Sequence, residues 1–404
     1  MSNLRKFTWI GFLKGFYLYI PILTFFLLSE DVTLSAIVIA SAIYSLFTFI
    51  GEIPTGLLAD RFGQKISIVF GYIIESSGIL MIMLFPTAIG FYIASGFRGL
   101  AGSFLSGSEE ALIYESVKNE GKKNFQKFYG KFLYNKQIGI IISTALAGLV
   151  YRQLGTISFL PLIAVTSLFT IASACIAMSL KDYRSNTKDN VAGSQMFSIL
   201  KESFSLIKRN NVIFNLTIVG VLTLSGEYFV QSLYQPHFQT NSIPLIWVGL
   251  AISIGTAINI IITKYSYLLE KYLTLEKILM VINMTLGLTY IVMALLLHPA
   301  FIVGAFILMN GLFNVQNPIV SDYINSHVKS SIRTTVLSGI SFIRRFFQIF
   351  VTLALGFAVG AIGIRASLVI QGAYLIVGMA IGYYLLVRCG CIHKVNDPGK
   401  LEFD

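Results

Sequence analysis

The sequence predicts an all-α integral membrane protein, with twelve transmembrane helices in two pseudo-symmetric six-helix bundles. Three observations predict it: a large apolar excess, the recurrence of apolar runs long enough to cross a bilayer, and a faint echo of the first half in the second. Hydrophobic residues make up 55% of 404 positions and charged residues only 12%, with a mean hydropathy of +0.75. A chain of that balance cannot be dissolved by its own surface, so lipid is its solvent. A helix needs about 20 apolar residues to cross the hydrocarbon layer, and runs of that length recur from Phe7 to Val387.

In order, the spans are Phe7 to Leu28, Leu34 to Leu58, Ile66 to Phe85, Ala88 to Val117, Phe132 to Leu154 and Ile157 to Leu180 in the first half. Val212 to Tyr234, Ile243 to Ile262, Ile278 to Leu297, Phe301 to Ile324, Thr335 to Ile362 and Ala366 to Val387 follow in the second. The first run carries Lys14 and Pro21, has no small-residue cleavage site after it and leads into a second span. It is therefore expected to stay in the mature chain and not to act as a removable signal peptide. Lys181 to Asn211 is the longest polar stretch. The expected organisation is an N-terminal bundle over 1–180, a linker over 181–211, a C-terminal bundle over 212–388 and a tail over 389–404.

The echo between the halves keeps its order and nearly its offset. Leu57-x-x-Asp60-Arg61-Phe62 reappears as Tyr267-x-x-Glu270-Lys271-Tyr272, and Arg98-Gly99-Leu100 as Asn310-Gly311-Leu312. Lys136, Gly148 and Gly155 of span five match Arg344, Gly356 and Gly363 of span eleven. Two related six-helix halves are the simplest account of such a repeat.

Charge sets the expected orientation, because loops rich in Lys and Arg stay in the cytoplasm. One set of alternate loops holds Arg5 and Lys6, Arg61 and Lys65, Lys118 through Lys131, the linker, Lys264 to Lys277, Lys329 with Arg333, and the tail; the other holds only Arg152 and Arg365. Both termini are therefore expected in the cytoplasm, in a multi-pass protein of a bacterial inner membrane. The net charge of +11 is mostly this bias, so it reads as topology and attraction to lipid headgroups, with no nucleic-acid partner expected.

Other chemistries find little support. Cys175 sits in an apolar run and Cys389 and Cys391 follow the last span, which is no disulfide framework. The triplets Asn215-Leu-Thr217 and Asn283-Met-Thr285 fall inside spans, where glycosylation does not reach. The four histidines share no metal-ligand spacing, no glycine loop for phosphate is present, and no Ser-His or metal cluster points to an intramembrane enzyme. No metal or cofactor is expected, and a proton gradient is the expected energy source.

Polar side chains inside spans mark the expected cavity. Arg98, Gly102, Leu105 and Glu109 share one face of span four. Span ten repeats the stripe as Asn310, Asn314, Asn317 and Ser321; span eight carries Asn259, span seven Glu227, Gln231 and Tyr234, span eleven Arg345 and Gln348, and span one Lys14 and Tyr17. A charge at the bilayer centre costs about 2.5–3.5 kcal/mol on the insertion scale. Lys14, Arg98, Lys136, Arg344 and Arg345 therefore need acids, a wet cleft or a ligand. The acids within or near spans are Glu52, Glu75, Glu109, Glu110, Glu115, Glu227 and Asp322. Position along each helix points to Glu52 or Glu109 as the partner of Lys136. An acid held in an apolar cleft can take a proton on one side and release it after the helices move.

The stretch Gly56-Leu57-Leu58-Ala59-Asp60-Arg61-Phe62-Gly63-Gln64-Lys65 resembles the loop signature of the major facilitator superfamily of secondary transporters. Arg98-Gly99-x-x-Gly102 resembles that family's span-four arginine motif. The resemblance implies a site between two bundles that open alternately to each side, and a cytoplasmic gate at the loop. There Asp60 would meet the start of span eleven near Thr335 to Gly339, Arg61 and Lys65 would pair with Glu115, and Gly56 and Gly63 would permit close packing. By helix number, Glu227 and Asp322 look like the acid pair of some multidrug antiporters of this superfamily, with Glu52 and Glu109 the other proton-coupling candidates. Span five departs from the drug and proton antiporters: Ser143-Thr144-Ala145-Leu146-Ala147-Gly148 keeps the small residues and lacks the proline.

The expected function is proton-coupled export of a small amphipathic or antibiotic-like compound, by a monomer in lipid. The alternative is uptake of an organic anion. Aromatics beside the polar stripes suit a flat amphipathic drug, whereas the intramembrane cations suit a phosphate or carboxylate. The overall look of the chain is also similar to exporters that give self-immunity to peptide-nucleotide antibiotics such as microcin C.

Overall fold

The computed structural model describes residues 2–183, 204–224, 227–296, 298–313, 315–327 and 333–388. Most of the linker, the tail and Asn314 lie outside these. The described residues form helices joined by short turns: α1 Asn3–Lys14, α2 Leu23–Ser29, α3 Leu34–Phe62, α4 Gln64–Leu84, α5 Ala88–Asn119, α6 Phe125–Leu154 and α7 Phe159–Met178. Then come α8 Asn211–Leu222, α9 Glu227–Thr240, α10 Ile246–Lys264, α11 Ser266–Tyr272, α12 Leu275–Leu295, α13 Pro299–Leu312, α14 Gln316–His327 and α15 Arg333–Arg388.

By length and composition alone, seven helices among the described residues can cross a membrane. The twelve predicted spans reconcile with that number once joins and breaks are recognised. Phe125–Met178 and Gly339–Arg388 each hold two spans, the latter divided at Gly363, whose φ of 79° is not helical. Spans one and seven are cut into shorter apolar helices, Ile20–Ser29 and Asn211–Leu222 among them. Helix α5, diluted by its glycines, serines and Arg98, is long enough but less apolar.

Local chemistry sets the helix ends. Side chains of Thr33, Thr87, Asn124 and Asn210 accept the backbone N–H three residues on and cap α3, α5, α6 and α8. Gly63 ends α3 and precedes α4 with φ 100°, a left-handed backbone that glycine adopts without a Cβ penalty. Large apolar side chains left exposed, such as Ile50, Ile89, Leu168, Phe301 and Phe357, suit contact with acyl chains.

The chain divides into two compact units, residues 1–193 with 228–256, and residues 194–227 with 257–404. In the first, small residues let backbones approach. Gly11 and Gly15 of the first span abut the carbonyls of Phe132 and Lys136 on α6, and Gly99 of α5 abuts Tyr44 of α3. Gly148 of α6 meets Gly249 of α10, and Thr144 and Ser253 share a 2.7 Å hydroxyl contact beside them. The span-five stretch thus makes a close helix interface without its proline. In the second unit, Gly287 of α12 faces Gly372 of α15, and Gly378 and Gly382 of α15 face Leu222 and Val219 of α8.

Candidate functional site

Among the described residues, three predicted spans are interrupted, and at each a side chain from a neighbouring helix binds the released backbone. Between α1 and α2, Gln235 of α9 donates to the Ile20 carbonyl at 2.9 Å and accepts from the Thr24 and Phe25 amides at 3.0 and 3.2 Å. After α8, the Leu224 carbonyl accepts from Gln371 at 3.0 Å and that of Val221 from the Tyr374 hydroxyl at 2.7 Å. Between α13 and α14, Asn259 of α10 donates to the Gly311 and Phe313 carbonyls at 3.1 and 2.8 Å. Non-helical backbone at membrane depth is tolerated only where protein or a wet cavity satisfies it, and interrupted helices are where transporters build binding sites.

The break in the first span carries the main polar cluster of the first unit. Lys14, in the last turn of α1 where a cation suits the helix dipole, lies 2.7 Å from the Glu109 carboxylate of α5. The other Glu109 oxygen accepts from the Tyr72 hydroxyl of α4 at 2.5 Å. One helical turn further along α4, Glu75 accepts from the Tyr17 hydroxyl at 2.6 Å. Arg98 on α5 packs its stem against Gly78 of α4, and its guanidinium stands 5.6 Å from the Tyr19 ring and 6.0 Å from the Tyr44 ring, within cation–π range. The Arg98 Nε is covered and has no hydrogen-bond partner, while Glu75 lies close enough for its charge to act on it. Because α4 and α5 pack side by side, the order Lys14–Glu109–Tyr72, Tyr17–Glu75, Arg98 forms one ladder of ions and phenols. Glu109 and Glu75 are 5% and 8% exposed, so protein groups must meet their charge.

This arrangement corrects two expected pairings. Of the two acids expected to partner Lys136, Glu52 and Glu109, the second gives its oxygens to Lys14 and Tyr72 instead, because the chain turns at Gly15 and brings the end of α1 against α5. Lys136 is half-buried on α6 with its backbone against Gly15. Glu115 pairs with neither Arg61 nor Lys65. One of its oxygens is covered without a hydrogen bond, and the charges acting on it are Asp182 and Lys118. Asp60 and Arg61 are exposed at the end of α3, with Arg61 5.4 Å from the Phe62 ring. Gly56 lies on α3 and Lys65 in the first turn of α4. At Gly63, a Cβ would collide with the Asp182 carboxylate.

The remaining candidates scatter. Glu52 is half-buried on α3 and Gln231 on α9. Tyr234 is fully buried and gives its hydroxyl to the Val248 carbonyl of α10 at 2.9 Å. Asn310 donates to the Phe306 carbonyl of its own helix at 3.0 Å. Arg344 reaches Asn317 at 3.2 Å, and Arg345 and Gln348 follow it, half-buried, on α15. Glu227 and Asp322 fall on α9 and α14, with side chains outside the described ones. Sequence reasoning counted Glu75 as an acid without giving it a role, and passed over Tyr72, Tyr19 and Tyr44. The signal was there in Tyr72-x-x-Glu75 flanked by Gly71 and Gly78, which sets a phenol and an acid on the face of α4 that close-packs another helix.

Comparison with known proteins places this geometry. A family model described as Major Facilitator Superfamily matches residues 10–352. The chain is 23% identical over 372 residues to YxaM, an MFS-type transporter of Bacillus subtilis (strain 168), covering 89% of this chain and 90% of that one. It is 26% identical over 168 residues to a transporter of Buchnera aphidicola subsp. Schizaphis graminum (strain Sg), 41% and 42% of the two chains. Among solved structures, its fold is similar to the nucleoside transporter NupG, with TM-score 0.73 and 15% identity over 96% of this chain and 99% of that one. It is also similar to a D-xylose-proton symporter, with TM-score 0.69 and 14% identity over 97% and 98%.

Proposed function

The chain belongs to the major facilitator superfamily and is a multi-pass membrane transporter, not an enzyme, and from that premise we propose that it exports a small amphipathic compound in exchange for protons. The observation that carries the reading is the bond between Lys14 and Glu109. Ionised, Glu109 ties the end of α1 to α4 and α5 through one cation and one phenol. Protonated, it loses the charge that holds Lys14, and the interrupted first span gains freedom to shift against α5. A carboxyl whose proton decides whether two helices are bound together is what coupling to a gradient requires. Glu75, bonded to Tyr17 in the same ladder, is the second proton carrier.

The aromatic walls of the same cluster support an amphipathic cargo. Tyr72 and Phe132 flank Lys14, and Tyr19 and Tyr44 flank Arg98, which sets flat aromatic faces beside positive charge. The bias of Lys and Arg among the loops supports a bacterial inner-membrane protein with both termini in the cytoplasm. The test is reconstitution of the purified protein in vesicles with a pH gradient imposed in either direction, while antibiotics and organic anions are screened as cargo. Glu109→Gln and Glu75→Gln are expected to retain exchange down a cargo gradient and to lose proton-driven accumulation. Accumulation by both variants at the parental level would sink the coupling assignment, and accumulation only in the uptake orientation would reverse the direction.

A further inference from the structure

The second unit holds a cation of a different kind. Arg344, on the first half of α15, lays its side chain over Gly220 of α8, where a Cβ would come within 3.1 Å of the arginine Cδ. Its Nη1 donates to the Asn317 Oδ1 at 3.2 Å, its Nε is covered without a hydrogen-bond partner, and the residue as a whole is half-buried. Among the described residues no carboxylate stands in salt-bridge range of it. Lys14 has Glu109; among the described residues Arg344 has only a neutral amide. Asn317 also lies in the first turn of α14, the end of that helix that carries positive partial charge. Two positive ends therefore converge on one spot, with a planar fork of five N–H donors.

We infer that Arg344, with Asn317, binds an anionic group, phosphate or carboxylate, on the transported solute. This deepens the transport reading and rests on it, turning the cargo from an amphipathic compound into an amphipathic organic anion. A guanidinium beside a helix N-terminus, with no acid against it among the described residues, is disfavoured by desolvation and by the dipole, and both penalties reverse when an anion arrives. Guanidinium matches phosphate and carboxylate in two parallel hydrogen bonds. A packing role alone would not need the charge, since methionine would cover Gly220 equally well.

The test is binding to the purified full-length protein without any gradient, read as a shift in thermal unfolding with phenyl phosphate and benzoate as probes and benzyl alcohol as the neutral control. The anions are expected to raise Tm and benzyl alcohol is not. Arg344→Met should weaken phenyl phosphate binding at least 10-fold, with Arg344→Lys between it and the parent. Asn317→Asp supplies an internal carboxylate, so it should abolish the probe's effect without lowering the Tm of the free protein. The absence of a gradient separates this inference from the coupling assignment, and Gly304→Ala, where a Cβ meets open space, should bind the probe like the parent. Unchanged binding in both Arg344→Met and Asn317→Asp would overturn the proposal. So would a Tm response confined to phosphatidylglycerol over phosphatidylcholine vesicles and lost in Arg344→Met, which would assign the arginine to a lipid headgroup.

Discussion

Lys14 and Glu109, 95 residues apart in the chain, stand 2.7 Å apart with 13% and 7% of their side chains exposed. A pair this enclosed is stable only as a pair. Lys14→Ala strands the carboxylate and is expected to destabilise the folded protein by about 3–5 kcal/mol, whereas Lys14→Met with Glu109→Met removes both charges and recovers most of it. Thermal unfolding of the single and double variants in detergent checks this; a double variant no more stable than Lys14→Ala would show that the two residues do not act together.

Gln235 uses both ends of its amide on the interruption of the first span, donating to Ile20 and accepting from Thr24 and Phe25. Gln235→Leu leaves the Thr24 and Phe25 amides unpaired, while the Ile20 carbonyl keeps the Leu23 amide, and is expected to cost about twice the roughly 1–3 kcal/mol of one unsatisfied group. Gln235→Glu keeps the acceptor half and should fall between. Equal Tm for the two variants would contradict the bonding pattern.

Gly249 has no room for a side chain, because a Cβ would strike the Thr144 carbonyl and Gly148, while the Cβ position of Gly304 on α13 is open. Gly249→Val is expected to lower stability by about 1–3 kcal/mol through overpacking. Gly304→Ala should raise it by up to about 1 kcal/mol through helix propensity. The two Tm values should move in opposite directions.

Gly63 carries two constraints, a φ of 100° and the Asp182 carboxylate over its Cα. Gly63→Ala should therefore lose more stability than the roughly 1 kcal/mol that a left-handed backbone alone imposes. Asp182→Ala in the Gly63→Ala background should restore the steric part and leave the conformational part. Additive losses in the double variant would place Asp182 elsewhere.

Much of the architecture was legible in the sequence because bilayer thickness converts directly into run length, and Phe7 to Val387 repeat that length. Lys14 was legible as a charge in want of an acid, and Glu109 as an acid facing inward. Their pairing was not, because depth counted along a straight helix misplaces every residue after a bend, and the first span bends at Gly15. Gly15 and Pro21 mark that bend, yet glycine and proline are common in membrane helices and do not say which way the chain departs. Tyr234 and Gln231, one turn apart, looked alike in sequence. Only the fold brings the Tyr234 hydroxyl to the Val248 carbonyl, and such neighbours leave no trace in local spacing. Glu75 was counted as an acid but given no role for a related reason: its worth comes from Tyr17, 58 residues away.

The Gln235 joint also bears on how the protein is made. Residues 20 to 25 emerge from the ribosome more than 200 positions before the amide that completes their bonding, a wait of about 10–40 s at ordinary synthesis rates. Throughout that interval the nascent first span carries unsatisfied peptide groups that hydrocarbon penalises, so the insertion machinery must shelter it until the ninth helix arrives.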